Sequence, residues 1–132
     1  MQEYISRNID KELIAWKDDS MRKPLLLRGA RQVGKSSAVR HFGREFKYFA
    51  EVNFERHKAI KTFFQGDIDV HMIAQKISNY IKVPMVAGET LLFFDEIQEC
   101  PEAIMALRFF KEDYPELQVI AAGSLLEFTL EE

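Results

Sequence analysis

The chain has 132 residues, 47% hydrophobic and 30% charged, and its eighteen basic and twenty-one acidic side chains give a net charge of −3. That is the composition of one globular domain with a single core; it excludes a disordered or fibrous chain and lends no electrostatic support to nucleic-acid binding. Apolar runs such as Leu25–Leu27 and Leu91–Phe94 fall far short of the roughly 18 residues that a membrane helix needs. The first residues, Met1-Gln2-Glu3-Tyr4, lack the basic start and apolar stretch of a secretory signal. The single Cys100 cannot form an internal disulfide, which fits a reducing compartment. The expectation is a cytoplasmic domain without membrane attachment.

Taken in chain order, Ile5, Ile9, Leu13 and Trp16 form one apolar stripe and predict a helix from Tyr4 to Trp16. Pro24 then opens a short aliphatic run, Leu25-Leu26-Leu27, that ends at Gly29 and reads as a buried strand. Lys35 to about Phe46 reads as a helix with Val39, Phe42 and Phe46 inward. The basic residues Arg40, His41, Arg44 and Lys47 read as its solvated face. In Tyr48–Phe54, apolar residues alternate with Phe49, Glu51 and Asn53, the pattern of a half-exposed strand near a sheet edge. Helical patterns follow around Ile60, Phe63 and Phe64 and along Val70, Ile73, Ile77 and Ile81, with Asp67 or Asp69 as N-cap. After a loop at residues 83–88, Thr90–Phe94 is a buried strand, Pro101 opens a helix, and Val119–Ala122 is a fourth strand ending at Gly123. Strands alternating with helices predict an α/β fold, a parallel sheet sandwiched by helices.

Three places carry chemistry. The stretch Gly29-Ala30-Arg31-Gln32-Val33-Gly34-Lys35-Ser36 fits G-x-x-x-x-G-K-[ST] at every constrained position, with a strand before it and a helix after. Its glycines let the backbone curl so that successive N–H groups face a phosphate, and the following helix contributes its positive end. Lys35 is expected to reach the β- and γ-phosphates and Ser36 to ligate Mg²⁺, with Ser37 closing the cofactor-binding stretch. Sixty residues beyond Lys35, the run Leu91-Leu92-Phe93-Phe94 ends in Asp95-Glu96. Asp95 suits a magnesium ligand acting through water, and Glu96 a general base for the attacking water. The alternative is that the pair only ends a strand and begins a surface turn. At the end of the fourth strand, Ser124 suits a contact to the γ-phosphate or the water, its alternative being an ordinary Gly-Ser turn. Together these features predict a P-loop nucleotide hydrolase with Lys35, Glu96 and Ser124 as catalytic residues and ATP and Mg²⁺ as cofactors. A GTPase is disfavoured because no N-K-x-D-type segment occurs. A nucleotide-dependent switch or scaffold, or a phosphotransferase, remains the alternative; Glu96 argues against phosphotransfer, which must exclude an activated water.

With these motifs in view, Leu25–Ser36, Phe94-Asp95-Glu96-Ile97-Gln98 and Ala122-Gly123-Ser124 resemble the predicted prokaryotic AAA-type ATPases that pair an N-terminal ATPase domain with a C-terminal domain of uncharacterised role. The likeness spans nearly the whole chain. It implies a truncated AAA/RecA-like core whose strand order here is 1-4-3-2, with a fifth strand beside the first in the complete fold. It also implies a C-terminal partner domain in the same polypeptide and leaves self-assembly open. The chain departs from the pattern at Ala122, where relatives usually carry a hydroxyl residue, and in length. No arginine follows Arg108, so this stretch supplies no finger acting in trans. The expectation is that residues 1–132 form an N-terminal ATPase domain that binds nucleotide better alone than it hydrolyses it. His41, His57, His71 and Cys100 have no metal-ligand spacing, and Gln98 reads either as a nucleotide contact or as an exposed polar residue.

Overall fold

The computed structural model describes residues 8–19, 23–29 and 33–124. In chain order the elements are α1 (Asn8–Asp18), β1 (Leu25–Gly29), α2 (Val33–Phe42), β2 (Tyr48–Asn53), α3 (Val70–Ile81), β3 (Thr90–Asp95), α4 (Pro101–Asp113) and β4 (Gln118–Ser124). The strands form one parallel sheet in the order β1-β4-β3-β2, as the resemblance implied. Central β3 is buried along its whole length, and edge strand β2 alternates between buried and half-buried residues. At the other edge β1 pairs with β4, and Leu25, Leu26 and Leu27 are half-buried.

Successive residues of a strand point to opposite faces, and each face of this sheet has its own helical cover. Leu92, Phe94, Val119 and Ala121 pack with Ile73 and Ile77 of α3 and Ala103 and Phe110 of α4. Leu91, Phe93, Ile120 and Ala122 pack with Leu13 of α1 and Val39 and Phe42 of α2. On the α3–α4 face, Phe94 sits among Phe54, Phe64 and Phe110 with ring centroids 5.5, 5.8 and 6.0 Å away. The Asp69 carboxylate caps α3 by accepting from Met72 N–H at 3.2 Å, which decides between the two candidate caps. Pro101 occupies the first turn of α4, where its missing N–H costs nothing.

Three boundaries differ from expectation. Helix α2 stops at Phe42, and a 3₁₀ turn at Gly43–Glu45 follows. Phe46 nevertheless packs edge-on against Phe42 at 5.4 Å, so its apolar signal reflects contact rather than helix continuation. Lys58–Phe64 is 3₁₀ rather than α-helical, and it buries Ile60 and Phe64. The first helix continues to Asp18, while Tyr4 and Ile5 lie outside the described residues.

Candidate functional site

Because all four strands are parallel, their C-terminal ends share one edge, the place where open α/β sheets bind ligands. Gly29, at the end of β1, stands in register with Ser124 at the end of β4; Asp95, at the end of β3, is opposite Asn53. Lys35, Ser36, Asp95, Glu96, Ala122, Gly123 and Ser124 line a cavity of about 30 Å³ there.

Asp95 is buried, with both carboxylate oxygens engaged. Oδ2 accepts from the Ser36 hydroxyl and Oδ1 from the Glu96 backbone N–H, each at 2.9 Å. Burial pushes its carboxyl above the usual carboxylate range; those two hydrogen bonds oppose the rise, and the Glu96 and Glu51 carboxylates add to it. The Lys35 ammonium nitrogen is buried and has no hydrogen-bond partner among the described residues. A buried ammonium without a hydrogen-bond partner is costly. It lies in the first turn of α2, where backbone N–H groups also lack intrahelical partners. Such a site fits a phosphate. Ser36 and Asp95 offer hard oxygen donors in the small number that magnesium takes from protein, and so fit that ion.

Glu96 adopts the left-handed conformation, φ 54° and ψ 46°, which a residue with a Cβ enters only at a cost. Its Oε1 accepts from Gln98 Nε2 at 2.8 Å, and the Ser124 backbone N–H donates to Gln98 Oε1 at 3.2 Å. Gln98 is thus neither an exposed polar residue nor remote from the site; it is half-buried and links the end of β3 to the end of β4. That bridge spans 26 residues of sequence, and nothing local signals it.

Of the phosphate-loop residues, Ala30, Arg31 and Gln32 lie outside the described residues. Gly29 ends β1, and Val33 and Gly34 begin α2. Ser37 is exposed and does not line the cavity. Arg40 is exposed, as the solvated-face reading has it, but it is also paired. Its guanidinium binds Glu51 through Nε at 3.1 and 3.2 Å and Nη2 at 3.0 Å, and Nη2 lies 3.6 Å from Asp95 Oδ2. The available signal was spacing: Arg40 follows Ser36 by one helical turn, and Glu51 lies on the partly polar face of β2.

The family described as AAA domain matches residues 21–132 of the sequence. The chain belongs to that family. As an AAA domain it is a nucleotide-binding domain of ATPase type with the P-loop α/β fold. Its fold is similar to that in "Structure of C. elegans PCH-2", with a TM-score of 0.56 and 16% identity over 94% of this chain. The AAA domain spans 38% of that longer chain. Comparison with curated proteins gives no match. Among the described residues no helix is long and apolar enough to cross a membrane.

Proposed function

We propose that this AAA domain binds ATP with Mg²⁺ and hydrolyses the β–γ phosphoanhydride bond. One observation carries the reading: a buried Lys35 ammonium without a partner among the described residues lines the same cavity as an Asp95 carboxylate already aligned by Ser36 and Glu96 N–H. The lysine supplies the positive charge that the β- and γ-phosphates require, and the first turn of α2 supplies N–H donors to the same groups. Ser36 and Asp95 would hold the magnesium ion, which when bound neutralises charge building on the phosphates. Glu96, aimed by the Gln98 amide, takes the proton of the attacking water. The Ser124 hydroxyl, at the end of the strand beside β1, binds the γ-phosphate or that water. Gly29 to Ser37 form the nucleotide-binding stretch. Coupling to a C-terminal effector region, self-assembly and a cytoplasmic location belong to the same proposal.

Calorimetric titration of ATP and GTP with Mg²⁺ tests binding. Lys35→Ala should weaken ATP affinity about ten- to a hundredfold, the worth of one charged hydrogen bond. Equal affinity in the variant would remove the phosphate assignment. In the full-length protein Glu96→Gln should retain binding while phosphate release slows about 10²- to 10⁴-fold.

A further inference from the structure

We propose that Arg40 is a positioning residue that provides the counter-charge to Asp95 when no metal is bound, and that Glu51 restrains it from closing on that carboxylate. The inference rests on reading Ser36 and Asp95 as the magnesium-holding pair. Arg40 lies one turn beyond Ser36 on α2, so both side chains project from one side of the helix. Arg40 Nη2 stands 3.6 Å from Asp95 Oδ2, the oxygen that also accepts from Ser36. That separation suits an ion pair and is too long for a good hydrogen bond. The guanidinium fork is instead engaged by Glu51, at 3.0 to 3.2 Å. Glu51 and Asp95 reach it from one side of the sheet, because Glu51 pairs with Phe93 and Asn53 with Asp95 in the β2–β3 register.

The three groups therefore form a balance. Asp95 is buried, and a cation within reach lowers the cost of its charge. A metal ion bound at Asp95 and Ser36 competes with Arg40 for the same oxygen, while Glu51 retains the displaced guanidinium. Removing the arginine removes the competitor and should tighten metal binding. Removing the glutamate's charge frees the arginine to close on Asp95 and should weaken it. Loss of a merely structural contact would shift both variants the same way.

The probe is the Mg²⁺ concentration that half-saturates binding of a fluorescent ATP analogue to the full-length protein. Arg40→Gln should lower it about fivefold, the worth of one solvated ion pair near 4 Å, and Glu51→Gln should raise it. Shifts in a common direction, or no shift in either variant, overturn the proposal. Should Arg40→Gln fail to fold, Glu51→Gln alone must still raise the value. Asp95→Asn separates the two levels. If it leaves the value unchanged, the magnesium assignment itself is overturned; if it raises the value while the other two variants do not move it, only the role of Arg40 is.

Discussion

Replacing Glu96 with glycine should yield a protein that is more stable than the corresponding alanine variant and equally unable to hydrolyse nucleotide. Both substitutions remove the carboxylate and the 2.8 Å hydrogen bond it accepts from Gln98, so the comparison isolates the backbone. At φ 54° and ψ 46° a residue with a Cβ pays about 1–2 kcal/mol, and glycine pays almost nothing. Glycine's greater freedom in the unfolded chain returns about 0.4–1 kcal/mol of that advantage. Taking the midpoints of those two ranges, the net gap is about 0.8 kcal/mol in favour of Glu96→Gly. For 132 residues the unfolding entropy is about 0.28 kcal/mol/K, so the gap corresponds to roughly 2–4 °C in melting temperature. Calorimetric melts of the two variants without nucleotide measure it directly. An alanine variant that melts at or above the glycine variant would refute the argument, because the left-handed backbone would then not be the conformation held in solution. The strain has a chemical use in the proposed mechanism: it turns Glu96 out of the direction of β3 immediately after Asp95, where the Gln98 amide meets its carboxylate.

Three further outcomes are expected. Phe94→Ala empties the centre of the Phe54, Phe64 and Phe110 cluster and should cost about 3–5 kcal/mol in urea unfolding; a loss below 1 kcal/mol would mean that the cluster closes over the gap. Asp95, its carboxyl raised chiefly by burial, opposes folding once ionised, and that opposition disappears as pH falls through the ordinary range of an unfolded-state carboxylate. Asp95→Asn should therefore raise the metal-free melting temperature at neutral pH, and the gain should fade towards about pH 4; a gain independent of pH would assign it to something other than the charge. Gln98→Leu removes both the donor to Glu96 and the acceptor for Ser124 N–H, so phosphate release should fall about tenfold or more with ATP affinity retained. Equal loss of affinity would make Gln98 a nucleotide contact instead of an aiming group.

The sequence by itself determined what depends on neighbours along the chain. An uninterrupted apolar run marks β3 as central, alternation in Tyr48–Phe54 marks β2 as an edge, and the apolar period of α3 with an aspartate before it marks that helix, because each signal lies within a turn or two of backbone. Only the structure chose Asp69 over Asp67 as the cap. The phosphate-loop pattern and the Asp95-Glu96 pair were legible for the same reason: their spacing is local, and a parallel sheet delivers their strand ends to one edge. Helix length was less legible, since the apolar period runs on to Phe46 although the helix ends at Phe42, and only packing distinguishes a continuing helix from a turn that returns a ring to it. Tertiary structure alone decided the network around the site. Arg40 is the exposed charge its sequence suggests, but only the fold brings Glu51 of β2 to pair with it, and Gln98 reads as surface until β4 brings the Ser124 N–H to its carbonyl. These pairings join separate elements, and whether two such groups meet depends on strand register and helix placement, which no single stretch of sequence contains.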